Sequence, residues 1–321
     1  MNKSLVVVAA LLIGGIATWS LTPAKLEPAV AELELPADLD NWLHVTEQSA
    51  AERYGLITGT EKRITWFGDQ QPTAYSVLYL HGFSATRQET APLAQVVANA
   101  LDANLFETRL AGHGRQRDAL TDVRAEDWLD DAAEALAIAR RLGKRVIVIG
   151  TSTGATLAAA TLDHPAMRAV DTLVMISPNF ALRDTKGNWI TRPAGPLLMR
   201  LLLGETRSWT AHNAQQALFW STSYPMTAMV EVMRLVDLAN RKLPSTIPQR
   251  LLMFYSLEDE VISAEAALDV FAETRAPQKD AVAVEDPGDP SSHVLAGDIL
   301  SASMTMEVAD AIVEFIARPV P

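Results

Sequence analysis

Short apolar runs alternate along this chain with longer segments in which apolar residues recur every three or four positions. The runs predict strands at residues 64–67, 76–80, 104–108, 145–149, 173–176, 251–255 and 281–284. The periodic segments predict helices at residues 88–101, 125–142, 155–160, 264–274 and 300–317. Strands and helices that alternate in this way favour a mostly parallel sheet covered by helices on both faces, which is an α/β fold.

One region, residues 181–244, interrupts the alternation because it contains no apolar run typical of a strand. It predicts loops and several helices, and its aromatic residues include Trp189, Trp209, Trp220 and Tyr224. Aromatic residues in such helices also suit an ordinary core. Because the region falls between two predicted strands, we predict a helical cap over about residues 181–245 that faces the substrate.

Residues 1–22 predict an export signal or an N-terminal membrane anchor. Lys3 precedes an almost continuously apolar run of 15 residues from Leu5 to Trp19 (residues 5–19), whereas a full membrane span needs about 20. The Ala-x-Ala sequence at residues 29–31 lies rather far downstream for a cleavage site. A cleaved signal, an uncleaved anchor and a buried helix therefore all stay open.

Residues 23–40 are rich in proline, alanine and glutamate and predict a linker to a domain over residues 41–321. A signal or an anchor in front of this domain predicts an exported protein of the cell envelope, located in the periplasm. If residues 5–19 are retained, they also predict association with the membrane.

The charge balance and the lack of cysteine narrow the function classes. The chain has 27 lysines and arginines against 39 aspartates and glutamates, a net charge of −12. No basic cluster stands out, so we expect no nucleic-acid partner. With no cysteine, the chain has no disulfide bond, thiolate metal site, cysteine nucleophile or lipoprotein anchor.

The sequence Gly150-Thr151-Ser152-Thr153-Gly154 lies between the predicted strand at 145–149 and the predicted helix at 155–160. A strand, Gly-x-Ser-x-Gly and a helix form a tight turn that exposes the serine hydroxyl at the end of a sheet. The flanking glycines are needed because a side chain would collide with the strand or the helix. We therefore predict Ser152 as a nucleophile; the alternative is a glycine-rich connection with a solvent-facing serine.

A serine nucleophile needs a histidine base and a carboxylate that orients it, and in this context the acid and then the histidine follow the serine. His293 alone among six histidines lies beyond the last predicted strand. Three adjacent acids, Glu258, Asp259 and Glu260, follow the strand at 251–255. We favour Asp259 because the next residues, Val261 and Ile262, would tuck this loop against the sheet. Asp286 and Asp289 are a more distant alternative.

The oxyanion of an acyl-transfer intermediate needs two backbone N–H donors. We predict that the backbone N–H of Thr153, the residue after the nucleophile, is one donor. The loop His81-Gly82-Phe83-Ser84 after the strand at 76–80 predicts the other: Phe83 is our choice and Ser84 is the alternative. We expect His81 and the turn Gly112-His113-Gly114 to have structural roles.

Together these motifs, with Asp127-Trp128, resemble the α/β-hydrolase superfamily, and within it the group of carboxylesterases, monoacylglycerol lipases and serine aminopeptidase-like lysophospholipases. The resemblance covers about residue 64 to the C-terminus. It implies an eight-stranded sheet, a helical cap after the sixth strand, and ester hydrolysis without a metal or other cofactor. It also implies that Ser152 is the nucleophile, His293 the base, Asp259 the acid, and Phe83 and Thr153 the oxyanion donors.

The expected function is hydrolysis of a small-molecule acyl ester, a class that includes lipid esters. The reaction is expected to pass through an acyl-enzyme on Ser152. Thioester or amide cleavage on the same fold stays open. A dehalogenase or an epoxide hydrolase is disfavoured because its nucleophile would be a carboxylate. A non-catalytic envelope protein that binds a ligand is the alternative from another class, and it predicts a missing or displaced member of the Ser152, Asp259 and His293 set.

Overall fold

The computed structural model describes residues 25–27, 33–184, 190–192 and 194–319. The predicted signal or anchor at residues 1–22 and part of the predicted linker lie outside these ranges, as do Trp189 and Pro193. Within them, no helix combines the length and the apolar character needed to cross a membrane. The predictions for the N-terminal segment therefore stay predictions.

Nine strands and nine α-helices make up the described part of the chain. The strands are β1 (Arg63–Thr65), β2 (Thr73–Leu80), β3 (Asn104–Glu107), β4 (Gly143–Thr151), β5 (Val170–Ile176), β6 (Thr206–Ser208), β7 (Ser223–Pro225), β8 (Arg250–Tyr255) and β9 (Lys279–Ala283). The helices are α1 (Leu39–Tyr54), α2 (Leu93–Ala100), α3 (Ala125–Leu142), α4 (Thr153–Ala160), α5 (Gly195–Leu203), α6 (Ala214–Phe219), α7 (Met226–Lys242), α8 (Ala264–Glu273) and α9 (Thr305–Ala317).

Seven of these strands form the main sheet, in the order β1-β3-β2-β4-β5-β8-β9. Every neighbouring pair is parallel except β1 with β3, so the predicted mostly parallel α/β fold is confirmed. The described residues supply seven strands to this sheet where the resemblance implied eight. Ahead of β1, Leu56 makes only a single bridge to Arg115, which is too short to add a strand.

Both faces of the sheet are buried, and this explains why its strands are continuous apolar runs. In β4, Val146 and Val148 belong to one core, whereas Ile147 and Ile149 belong to the core on the opposite face. The first core packs against α3, α4 and α7, and the second against α2 and α9. The sheet is thus the central layer of three.

Two helices begin about five residues later than predicted. The helix predicted at 88–101 begins only at Leu93, because residues 86–92 form turns in which Glu89 N–H donates to Thr86 O and Leu93 N–H donates to Thr90 O. The helix predicted at 300–317 begins at Thr305, after a 3₁₀ turn. Helix α3 has the predicted bounds.

The insertion between β5 and β8 contains α5, α6 and α7, together with β6 and β7. These two strands pair antiparallel in a small sheet of their own, which the sequence did not predict. Three-residue strands are too short to show a periodicity, and β6 is exposed along its whole length. Helix α7 packs against α4, and α5 packs against α7, so the insertion is attached to the helix that follows Ser152.

Candidate active site

Ser152 lies at the sharp turn between β4 and α4. Its φ is +51°, which is uncommon for a residue with a side chain, and its N–H donates to the carbonyl oxygen of Ile176 at 2.8 Å. A Cβ on Gly154 would overlap the carbonyl oxygen of Leu80, and one on Gly150 would lie 2.7 Å from the backbone of Ala155. The two glycines are therefore required for the close approach of strand and helix.

Asp259 and His293 form a direct pair at the carboxyl edge of the sheet. The Nδ1–H of His293 donates to Asp259 Oδ2 at 2.8 Å. The other carboxylate oxygen, Oδ1, accepts the N–H groups of Val261 at 2.8 Å and Ile262 at 2.9 Å. Asp259 is 0% exposed, and its two oxygens thus accept three hydrogen bonds. This pairing leaves His293 Nε2 as the basic nitrogen.

The neighbouring acids have other positions. Glu258 and Glu260 are exposed, as is Asp286. Asp289 is buried, but its Oδ2 accepts the backbone N–H groups of His293 at 3.0 Å and Val294 at 2.9 Å. Asp289 therefore supports the loop that carries the histidine, whereas Asp259 alone contacts its ring.

The charge around His293 favours its protonated form. Burial lowers the pKa of His293, but the Asp259 carboxylate, with help from Glu89 and Asp289, raises this pKa above its usual 6.5. An imidazole with a raised pKa is a stronger base, and the cation that it becomes on taking up a proton is stabilised by these carboxylates.

Ser152 and His293 are linked through the segment that follows β5. Ile176 O accepts the N–H of Ser152, and the hydroxyl of Ser177 donates to His293 O at 2.7 Å. Both Ser152 and His293 are less than a tenth exposed. Among the described residues, no hydrogen bond joins the Ser152 hydroxyl to the His293 ring. Such contacts are often long without substrate and shorten in the complex.

The structure distinguishes the two candidate donors in the loop after β2. Ser84 N–H donates to His113 Nε2 at 3.1 Å and is therefore engaged. Within the described ranges, no acceptor takes the N–H of Phe83 or that of Thr153. These two groups are thus available for a substrate oxygen.

Two buried histidines hold this loop through hydrogen bonds of their rings. The Nδ1–H of His81 donates to Gly82 O at 2.9 Å, and its Nε2 accepts Leu110 N–H at 3.1 Å. Burial lowers the pKa of His81 to about 4 and also lowers the pKa of His113 well below its usual range. Both rings are therefore neutral at physiological pH and join the loop to the Leu110–Gly114 turn.

Residues of the insertion cover the same loop. Tyr224 packs edge-on against Phe83, with ring centroids 5.0 Å apart, and Ser221 N–H donates to Ser84 O at 2.7 Å. Trp220 belongs to a small apolar cluster with Ala85 and Val294, the residue after His293. The insertion thus contacts both sides of the site.

The sequence analysis missed Glu89, whose carboxylate lies against Gly82 and is only 2% exposed. It stands four residues before Leu93, on the apolar side of the predicted helix 88–101. A carboxylate at such a position is the one signal that could have identified it. No group of three or more His, Asp and Glu side chains in the described part of the chain is arranged to hold a metal ion.

Comparison with known structures shows the same architecture. A structure reported for LipS and LipT, two metagenome-derived lipolytic enzymes, is 18% identical and has a TM-score of 0.65, with 81% of this chain and 98% of that chain covered. Paleococcus ferrophilus monoacylglycerol lipase is 14% identical, with a TM-score of 0.59 and coverage of 79% and 97%. A soluble variant of Saccharomyces cerevisiae monoglyceride lipase is 13% identical, with a TM-score of 0.56 and coverage of 92% and 98%.

These identities show the fold only, and no curated protein sequence matches this chain. The family model described as the alpha/beta hydrolase family matches residues 77–301, which include every residue of the site described above. The chain therefore belongs to the alpha/beta hydrolase family.

Proposed function

We propose that this protein is a serine hydrolase that cleaves carboxylic esters through an acyl-enzyme on Ser152. The observation that carries the proposal is the 2.8 Å pair of Asp259 and His293 at the sheet edge where Ser152 is held at a positive φ. Two unengaged N–H groups, from Phe83 and Thr153, flank this serine. A nucleophile, an oriented base and two oxyanion donors are the groups that acyl transfer requires.

The first half of the reaction acylates Ser152. His293 Nε2 takes the hydroxyl proton of Ser152 while Oγ forms a bond to the acyl carbon. The carbonyl oxygen becomes negative and accepts the N–H groups of Phe83 and Thr153. The bond to the alcohol oxygen then breaks, and that oxygen takes the proton from His293 as the alcohol leaves.

The second half releases the acid. A water molecule gives a proton to His293 Nε2 as its oxygen bonds to the acyl carbon. The bond to Ser152 Oγ then breaks, and Oγ recovers the proton from His293. Asp259 stays ionised throughout and keeps the ring oriented, with its cationic form stabilised.

The substrate class follows from what covers the site. Trp220 and Tyr224 are buried in the insertion and lie against the loop of Phe83 and the segment of His293. An apolar, aromatic cover suits an ester with a hydrophobic acyl group, from short acids to lipid-like ones. Thioesters and amides would use the same groups.

Labelling with a fluorophosphonate and turnover of p-nitrophenyl esters test this function. We expect the wild type to be labelled on Ser152 and to hydrolyse the ester. Ser152→Ala should lose both, with kcat lower by roughly 10⁴–10⁶-fold. Ser49→Ala, which changes an exposed serine on α1, is the control and should match the wild type. Equal turnover by Ser152→Ala and wild type would reject the proposal and favour a ligand-binding protein.

We further propose that the protein is exported and that its cap side faces a lipid surface. The motivation is the apolar segment at residues 5–19, together with α5, whose leucines 197, 198, 201, 202 and 203 are all exposed. Leu201 and Leu202 are exposed by 72% and 76%. Residues 190–219 carry three arginines and one glutamate in a chain of net charge −12, and this local positive charge suits anionic lipids.

The lack of cysteine allows a direct test of this orientation. Leu202→Cys, labelled with an environment-sensitive fluorophore, should show a blue shift and protection from aqueous quenchers when vesicles containing phosphatidylglycerol are added. The control is Met306→Cys on α9, which is exposed on the opposite face of the sheet and should not respond. An equal response at both positions, or none at Leu202, would contradict the proposal.

A further inference from the structure

Glu89 lies beneath the loop that presents the Phe83 N–H. Its Oε2 accepts the N–H of Gly82 at 2.7 Å and the hydroxyl of Tyr79 at 3.1 Å. Its Oε1 would be 2.6 Å from a Cβ on Gly82, so the carboxylate lies directly against this glycine. A side chain at position 82 would displace this carboxylate.

The Phe83 N–H is therefore held between two fixed neighbours. Glu89 holds the N–H of Gly82 on one side, and His113 holds the N–H of Ser84 on the other. The peptide group that carries the Phe83 N–H is itself held at Gly82 O by the Nδ1–H of His81, and Glu89 and His113 fix the peptide groups on either side of it. Without them, the loop could rotate its peptide groups away from the site.

The backbone turn that carries Glu89 also contacts the histidine side of the site. The backbone of Glu89 and Thr90 packs so closely on Gly297 that a Cβ there would lie 2.7 Å from Glu89 O. Asp298 N–H donates to Ala91 O at 2.9 Å. The turn that carries Glu89 thus lies against the segment that follows His293, and Glu89 and His293 are near enough for their charges to interact.

We infer that Glu89 is a positioning residue of the active site, which helps to orient the Phe83 N–H through Gly82 and adds its negative charge to those of Asp259 and Asp289 beside His293. This inference rests on the proposed function. Asp259 orients the ring by direct contact, whereas Glu89 acts without touching it. The carboxylates of Asp259, Glu89 and Asp289 stabilise the imidazolium that forms when Ser152 gives up its proton.

The charge of Glu89 makes a specific prediction about pH. The titratable groups that face it are Tyr79 from β2 and, from the loop after β9, His293 and Asp289. Burial raises the pKa of Glu89 to about 7, against the opposing effects of Gly82 N–H and the His293 cation. Glu89 and His293 thus take up protons over overlapping ranges and titrate as a pair.

His293 must be neutral to accept the serine proton, so turnover falls as the pH drops through its pKa. The charge of Glu89 raises that pKa. Glu89→Gln keeps an acceptor for Gly82 N–H but has no charge. It should therefore move the acid limb of the pH profile to lower pH and reduce kcat severalfold, with KM little changed.

Glu89→Ala removes the acceptor as well as the charge. We expect a further loss of roughly 10-fold or more in kcat, which is part of the ~10²–10³-fold that a complete oxyanion donor contributes. Glu107→Gln is the matched control because Glu107 is also a buried carboxylate of the sheet, paired with Arg63. It should lower stability and leave the acid limb where the wild type has it.

NMR titration of the His293 ring in wild type and Glu89→Gln separates this inference from the proposed function. A lower pKa of His293 in Glu89→Gln supports the inference even if no ester is turned over, in which case the proposed function alone fails. Superimposable titrations and pH profiles in the two proteins would overturn it. An equal shift in Glu107→Gln would also overturn it, because the effect would then come from loss of stability.

Discussion

The sheet edge and the insertion between β5 and β8, which is the predicted cap, are built in different ways. At the sheet edge, Ser152, Asp259 and His293 are buried, and each is held by backbone hydrogen bonds. In the cap, the strands have three residues, and α5 exposes five leucines. Under the proposed function, the sheet edge supplies the chemistry and the insertion selects the acyl group that reaches it.

Among changes that compare the two regions, the largest expected effect is on the sheet edge, with Asp259→Asn. The amide can still accept the N–H groups of Val261 and Ile262, but it no longer stabilises the cation of His293 or selects its tautomer. We expect kcat for a p-nitrophenyl ester to fall by roughly 10⁴-fold with little loss of stability. Glu258→Gln changes the exposed neighbour and should have no effect on kcat. Equal losses of kcat in the two variants would show that Asp259 is not the acid that orients His293.

A second prediction compares one glycine from each region. Gly154→Ala would push a methyl group into the carbonyl oxygen of Leu80, and we expect it to reduce the free energy of unfolding by about 4 kcal/mol or more. Gly204 in the cap has a φ of +86° and no atom within 4 Å of a Cβ. Gly204→Ala should cost only its backbone strain, about 1–3 kcal/mol. Urea denaturation measures the free energy of unfolding of both variants. A loss for Gly204→Ala as large as that for Gly154→Ala would contradict the prediction that the two glycines differ.

The smallest expected effect is on the cap surface. Leu201→Ser combined with Leu202→Ser changes side chains that are already exposed, so the free energy of unfolding should stay within about 0.5 kcal/mol of the wild type. Turnover of a short, soluble ester should also be unchanged, whereas hydrolysis of an ester presented in vesicles should fall. Met306→Ser is the control on the opposite face of the sheet. An equal fall in vesicle ester hydrolysis in this variant would show that α5 has no specific role at the lipid surface.

The sequence predicted the sheet more completely than the cap because burial leaves a pattern in the sequence. Strand β4 is buried on both faces, so its run of Val and Ile was recognisable, and helix α3 shows an apolar side along its whole length. Strands β6 and β7 are short and partly exposed, and nothing in their composition marks them. Helix α1 was missed for a related reason, since only three of its residues are buried.

The candidate site was predictable as far as chain order and strand context determine it. Ser152, Asp259 and His293 each follow a predicted strand, and parallel strands bring their carboxyl ends to one edge. Glu89 and Asp289 could not be assigned from sequence, because their roles depend on which backbone N–H groups the folded loops turn toward them. Asp289 was considered as an acid for the histidine ring, and it instead bonds to the backbone of the histidine loop.

The hydrogen bond from Ser221 to Ser84 has a consequence for how this fold can be diversified. It joins the middle of the insertion, just before β7, to the loop of the Phe83 donor, whereas no described hydrogen bond attaches α5 or β6 to that loop. Insertions, deletions or grafts that alter substrate preference are therefore best confined to residues 190–208. A graft that replaces the corner at residues 220–225 would exchange specificity and catalytic geometry together, and libraries built across that boundary should yield few active enzymes.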